Sequence, residues 1–325
     1  MSKHYLVTGG SGFIGSAVVN AMVDAGYKVT VLDDNSRGNP RRLKSCISKI
    51  KMVNGDVRKF EDVLRASEGV DGVAHLAYVN GTEFFYSKPD LVLDVGVKGI
   101  MNVIDVCRQR GIKELVLASS SEVYQTPPVV PTPEDVPLSV PDVMNPRYSY
   151  GGGKIISEMM AINYGKYFDR VLIFRPHNVF GEDMGWEHVV PQFALRMSEL
   201  VNAAGDKIKF PIQGTGTETR SFIYIKDFVD GYMTMLEKGK HLNVYNIGTM
   251  EELSIANVAT LVGKCFDREV ELVPGPEAKG GTPRRCPEMK KLYSLGFTPK
   301  WKLSEALPKV VKWYDQNKNL KTEII

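Results

Sequence analysis

The chain has 325 residues, with 41 basic side chains against 38 acidic ones and a formal net charge of +3. That near balance, without a long basic stripe, gives no electrostatic case for a nucleic-acid or membrane partner and leaves acidic small molecules as the expected ones. The length invites two domains, no apolar run approaches membrane-spanning length, and Cys46, Cys107, Cys265 and Cys286 lie too far apart for a CxxC or metal motif, as expected of a reducing cytosol.

In chain order, runs of β-branched and aliphatic residues fall at Tyr5 to Thr8, Val29 to Leu32, Lys51 to Val53, Gly72 to Leu76, Leu115 to Ala118 and Val171 to Phe174. Helical patterns at Phe13 to Ala25, Leu91 to Arg110 and Lys154 to Phe168 lie between them. Such alternation describes an α/β protein with a Rossmann-type doubly wound parallel sheet. With the first strand starting at Tyr5, no signal peptide is expected and the location is expected to be cytoplasmic. After Arg175-Pro176 the elements shorten, with an amphipathic helix at Val190 to Val201 and turn signals at Gly214-Thr215-Gly216 and Gly280-Gly281-Thr282-Pro283. Residues 1–175 are expected to form the first domain, with 221–248 packing back onto it. Segments 176–220 and 249–325 are expected to form a smaller, partly discontinuous substrate domain. There are no internal repeats and no low-complexity segment.

TGGSGFIG, from Thr8 to Gly15, stands between the first strand and the first helix. There Gly9 lets the chain leave the strand, Gly12 lets amides approach a pyrophosphate, and Gly15 lets the helix pack on the sheet, with Phe13 and Ile14 between them. The next strand ends in Asp33, an acid placed to bind an adenosine ribose and to repel a 2′-phosphate. NAD is therefore expected over NADP.

A second signal is Tyr150 with Lys154, whose i, i+4 spacing puts both on one helix face. An ammonium within reach is expected to bring a phenol down from its usual pKa of about 10 toward the range of a general base. Tyr148 is the rival phenol, but four residues on from it lies Gly152. Three glycines follow Tyr150, each costing about 1 kcal/mol of helix propensity. The strand ending at Ala118 runs into Ser119-Ser120-Ser121-Glu122-Val123-Tyr124, which places hydroxyls where a doubly wound sheet binds its ligand.

These segments resemble the extended short-chain dehydrogenase/reductase family, the NAD-dependent nucleotide-sugar epimerases, dehydratases and decarboxylases. The resemblance covers essentially the whole chain through TGGSGFIG, Asp33, GDV at Gly55 to Val57, HLA at His75 to Ala77, SSSEVY, YGGGK, RPHNVFG at Arg175 to Gly181, TRSFIYIKD at Thr219 to Asp227, RRCPEM and LGFTPK. It implies that Ser120 bonds the sugar C4 oxygen, that Tyr150 is the base and that Lys154 orients the nicotinamide ribose. Asn35, Asp56, Val57, Leu76 and Ala77 would join the cofactor site. Ser121, Asn178, Gln213, Arg220 and Arg285 would join Ser120 in the substrate site, with Asn178 and the two arginines on the diphosphate. Gln213 falls where many relatives carry an aromatic residue, Gln125 replaces a usual glycine, and Gly96 stands where relatives often have Asn.

Relatives share oxidation of the sugar at C4 and then diverge. Glu122 is the discriminating residue, because a carboxylate there is suited to removing the C5 proton that a 4-keto group acidifies. The leading expectation is a nucleotide-hexose dehydratase, with a 4-epimerase next, a uronate decarboxylase third, and a non-catalytic NAD sensor as a reading of another class. The expected partners are a nucleotide-diphosphate sugar and a second copy of the chain through Leu91 to Arg110 and Lys154 to Phe168. The stripe Ile100, Val103, Ile104, Cys107 suits either a dimer face or burial under the sheet.

Overall fold

The computed structural model describes residues 2–201, 207–276 and 282–323, so Gly280 and Gly281 of the expected turn lie outside the described residues. The first part of the chain runs β1 (His4–Thr8), α1 (Phe13–Asp24), β2 (Lys28–Asp33), β3 (Ile50–Asn54), α2 (Phe60–Ala66), β4 (Gly72–His75), α3 (Thr82–Ser87), α4 (Pro89–Leu93), α5 (Gly99–Arg110), β5 (Glu114–Ala118), α6 (Ser149–Asn163) and β6 (Arg170–Pro176). Then come β7 (Val179–Phe180), α7 (Val189–Val201), β8 (Lys207–Ile212), β9 (Thr219–Ser221), β10 (Ile223–Tyr224), α8 (Ile225–Lys238) and β11 (Asn243–Ile247). The chain closes with β12 (Glu252–Ser254), α9 (Ile255–Lys264), β13 (Glu269–Pro274), β14 (Arg284–Arg285), α10 (Lys290–Tyr293) and α11 (Leu303–Gln316).

Seven strands make one sheet in the order β11-β6-β5-β4-β1-β2-β3, and every pair in it is parallel. Chain direction across the sheet reverses at β1, between β2 and β4, and that reversal opens a crevice at the strands' carboxyl ends. Side chains alternate between two buried faces. Val7, Val31 and Phe174 meet Val18 and Met22 of α1 and Phe228 and Tyr232 of α8. Leu6, Leu32, Leu117 and Ile173 meet Ile100, Val103, Ile104 and Cys107 of α5. That stripe is buried under the sheet, with at most 1% exposure. Three smaller sheets, β10-β7, β12-β9-β14 and β13-β8, carry the remaining strands. Around them, Phe193, Phe210, Val258 and Leu307 are part of a separate apolar cluster.

Two expected helices differ from observation. Leu91 to Arg110 is not continuous: α4 and α5 are joined by a π-helical turn over 94–98, with Gly96 at its centre. A π turn widens the helix locally, a feature common beside functional sites. The helix expected at Lys154 to Phe168 begins earlier and ends earlier, at Ser149–Asn163. Tyr150 and Lys154 thus share its first two turns despite the glycines, and Gly165, beyond its end, abuts Leu242 so closely that a Cβ would lie 2.5 Å from that side chain. Among the described residues, no helix is long and apolar enough to cross a membrane.

Candidate active site

A cleft of about 400 Å³ opens at the carboxyl ends of the central strands, against the N-terminus of α1. Its dinucleotide side is shaped by backbone. Gly9, at φ +71°, lies so near the next strand that a Cβ would come within 2.7 Å of the Ala77 backbone, and one on Gly15 would come within 2.0 Å of the Gly9 carbonyl. No other residue fits either place. Gly12 is the N-cap of α1 and has no side chain to bond its first turn, so first-turn amides stay open to an anion. Phe13, Ile14, Asp56, Val57, Leu76 and Ala77 line the same cleft.

Asp33 is buried at the mouth of this groove. Its carboxylate accepts the Ser11 and Asn35 amides, each at 2.9 Å. Asn35 itself does not line the cleft. It sits at φ +59° and its side chain accepts from the Ser11 hydroxyl at 2.9 Å, so it pins the turn that holds Asp33. Two contacts cross the groove that the sequence did not disclose. Arg41 reaches Asp183 at 2.5 Å, and Arg37 pairs with Glu187 while lying 4.4 Å from the centre of the Phe84 ring.

Ser120, Tyr150 and Lys154 come together at the inner end, all three buried. β5 delivers Ser120, and α6 delivers the other two one turn apart. The Ser120 hydroxyl accepts the Glu122 amide at 3.1 Å and hydrogen bonds Tyr150. Burial pushes the Tyr150 phenol well above its ordinary range; the Ser120 bond offsets this in part, and Glu122 adds to it. Lys154 is pushed the other way, down to about 7, by burial that Glu158 only partly offsets. The expectation that the ammonium alone would bring the phenol down is therefore not met in the protein itself. Lys154 Nζ donates to the Ala118 carbonyl at 2.6 Å instead, and at Tyr150 desolvation outweighs the Ser120 hydrogen bond. Tyr148, the rival phenol, does not line the cleft.

Glu158, one turn beyond Lys154, is tied to Arg175 at 2.6 Å, with both side chains at most 4% exposed. It also accepts from Ser119, and Arg175 donates to Tyr124 at 2.8 Å. This buried network fixes the floor behind Ser120.

Farther out, Glu122 does not stand alone. Its carboxylate meets Arg285 Nη1 at 2.7 Å, and Arg285 Nη2 donates to Thr282 at 3.0 Å. Although burial alone would raise it, Arg285, Arg147 and Arg220 hold the Glu122 carboxyl below the usual carboxylate range. Arg220 is itself pushed down to about 10 by burial and by repulsion from Arg285. Arg147 was not singled out in the sequence, although it lies only three residues before Tyr150. Ser121, Asn178 and Arg285 line the cleft, whereas Arg220 and Gln213 do not. Gln213, expected in the substrate site, is exposed just past β8. Gln125, in place of a usual glycine, has φ +49° and donates to the Glu122 carbonyl at 2.6 Å.

With this geometry established, comparison with known proteins is direct. The chain matches the NAD dependent epimerase/dehydratase family over residues 5–248. It is 30% identical over 320 residues to UDP-glucuronic acid decarboxylase 1 of Danio rerio, covering 97% of this chain and 73% of that one. Its fold is similar to a dTDP-glucose 4,6-dehydratase of Streptomyces venezuelae solved with NAD bound, with a TM-score of 0.86 and 24% identity over 99% of this chain and 100% of that one. It is also similar to a UDP-glucose 4-epimerase of Thermotoga maritima solved with UDP-glucose, with a TM-score of 0.85 and 25% identity over 97% and 99% of the two chains. The glycine-shaped groove and the match along most of the chain give one conclusion: this protein belongs to the NAD-dependent epimerase/dehydratase family of extended short-chain dehydrogenases/reductases.

Proposed function

We propose that the protein oxidises a nucleoside-diphosphate sugar at C4 and that the resulting 4-keto sugar then loses carbon dioxide from a C6 carboxylate. NAD, when bound, supplies the acceptor of the C4 hydride and later returns it. Gly9, Gly12 and Gly15 would pass the pyrophosphate, Asp33 would hold the adenosine ribose, and Asp56, Val57, Leu76 and Ala77 would line the rest of the cofactor's path. Tyr150, as the phenolate that Lys154 together with a bound cationic nicotinamide would favour, takes the O4 proton with the help of Ser120 as the hydride departs, and Lys154 orients the ribose beside them. The C5–C6 bond then breaks, carbon dioxide leaves, and the electron pair becomes a C4–C5 enolate that is protonated at C5. Return of hydride to C4 and of the proton to O4 regenerates the starting site.

The observation that carries this choice over elimination is the 2.7 Å ion pair between Glu122 and Arg285. A carboxylate held charged by a guanidinium is a weak base, which removes the main reason for expecting a dehydratase. Decarboxylation needs no base at C5. A cation in the cleft would orient the C6 carboxylate, and Arg285, which lines the cleft, faces Glu122 with Arg147 and Arg220 nearby; Glu218 is the other carboxylate near Arg220. Elimination remains the second reading, favoured by the position of Glu122 in the cleft lining beside Ser120 and Ser121.

Incubation with UDP-glucuronate and with UDP-, GDP- and dTDP-hexoses in deuterated water, followed by NMR, separates the outcomes. Carbon dioxide release with deuterium at C5 supports decarboxylation. Loss of the C6 hydroxyl supports elimination, and clean inversion at C4 supports a 4-epimerase. We also propose a homodimer, because Met101 on α5 and Ile156, Met159 and Ile162 on α6 are 41–58% exposed. Light scattering at the mass of one chain would refute the dimer.

A further inference from the structure

Lys154 lies closer to a phenol that the sequence did not single out than to the one it was expected to serve. Its Nζ is 3.9 Å from the centre of the Tyr78 ring and 5.8 Å from that of Tyr150. Tyr78 meets Tyr150 edge to face, with ring centres 5.0 Å apart and planes at 82°. Phe85 stacks on Tyr150 at 4.9 Å, completing an aromatic mount for that phenol. The Tyr78 hydroxyl is buried and has no hydrogen-bond partner among the described residues.

Two glycines make room for this ring. A Cβ on Gly96 would lie 2.2 Å from the Tyr78 hydroxyl, and one on Gly153 would lie 2.1 Å from it. Gly96 is at the centre of the widened turn between α4 and α5, and Gly153 immediately precedes Lys154. Segments far apart in sequence therefore leave one shared hole. The ring lies in this hole with its face toward Lys154, 3.9 Å from Nζ, where it attracts the ammonium.

We propose that Tyr78 is a positioning residue of the active site: the face of its ring holds the Lys154 ammonium charged and in place, and its edge braces the Tyr150 ring. This rests on the reading of Tyr150 and Lys154 as the proton-transfer pair. The other groups facing Lys154 are Glu158 and Tyr150 from α6, His75 from β4 and the Ala118 carbonyl from β5. Burial, with Lys154 second, holds His75 neutral by pushing it down to about 3. Glu158 favours the ammonium but is shared with Arg175 and Ser119. The aromatic face is thus a principal support for a cation that burial otherwise disfavours.

The test is a pH titration of Lys154 by NMR of the full-length protein labelled with ¹³Cε-lysine and free of ligand, the resonance being identified by its loss in Lys154→Arg. The wild-type midpoint is expected at about 7. Because the ring favours the charged form, Tyr78→Leu lowers the midpoint by about one pH unit, a tenfold change in the acid constant. Tyr78→Phe, which keeps the ring, leaves the midpoint in place. Gly96→Ala drives a methyl into the ring and moves the midpoint in the same direction as Tyr78→Leu; it carries the test if Tyr78→Leu fails to fold. A wild-type midpoint in Tyr78→Leu or Gly96→Ala overturns the proposal, as does a Tyr78→Phe shift as large as that of Tyr78→Leu. No substrate is used, so failure to turn over any nucleotide sugar would sink the proposed reaction and leave this result standing.

Discussion

On the dinucleotide side of the cleft the backbone does the shaping, since Gly9 and Gly15 approach neighbouring main chain too closely for any Cβ. At its inner end the cleft is assembled from side chains of distant segments: Ser120 and Glu122 after β5, Tyr150 and Lys154 on α6 and Arg285 on β14, with Arg147 and Arg220 near Glu122. The backbone-built groove leaves no room for a side chain at Gly9 and Gly15. A side-chain-built end can change its chemistry through one ion pair, and a single fold can therefore host several second half-reactions.

The largest effect that separates the two regions is expected at Gly15. Gly15→Val should weaken NAD binding by about 100-fold or more, because the clash is with backbone that cannot rotate away. Calorimetry showing wild-type affinity would mean that the groove is less rigid than argued. Glu122→Gln, by contrast, should leave NAD binding intact and destabilise the fold by about 2 kcal/mol, less than for a fully buried pair because Glu122 is partly exposed. The pH dependence has a definite sign. The Glu122 carboxyl lies below its ordinary 4.5 in the folded state, so its stabilisation is present above that pH and fades as pH falls through the folded value. Melting curves should show an acid-dependent difference between wild type and Glu122→Gln; parallel curves would mean that the pair is not formed in solution.

How much of this was readable beforehand follows the same division. The glycines of the groove were legible because the requirement falls on residues with no side chain at all. The expected strands at the centre of the sheet were legible because both faces there are covered and their runs are rich in β-branched and aliphatic residues. The pairing of Glu122 with Arg285 was not, since the partners are 163 residues apart and each alone suits a different role. The break at 94–98 escaped because the apolar pattern runs on through a π turn, and the Tyr78 ring packed against Gly96 there comes from another segment.

Smaller effects sharpen the contrast within α6. A Cβ on Gly151 would meet the Gln125 side chain at 2.8 Å, whereas at Gly152 the nearest neighbour is Val140 at 3.4 Å, an ordinary contact. Gly152→Ala should therefore raise stability by up to about 1 kcal/mol through helix propensity. Denaturant unfolding that shows a loss would mean that Gly152, too, is held by packing. Smallest of all is Gln213→Ala, which should alter stability by less than about 0.5 kcal/mol and leave the KM for the nucleotide sugar unchanged, as its exposed side chain lies outside the cleft. A marked rise in KM would bring Gln213 back into the substrate site.

The central claim is that Tyr150 receives the O4 proton as the C4 hydride leaves. Rapid mixing of the NAD-loaded protein with nucleoside-diphosphate sugar, read by the absorbance of reduced nicotinamide, tests it most directly. Wild type should show a burst of reduced cofactor, and Tyr150→Phe should slow that burst by about 10² to 10⁴-fold. An equally fast burst in Tyr150→Phe would contradict the account.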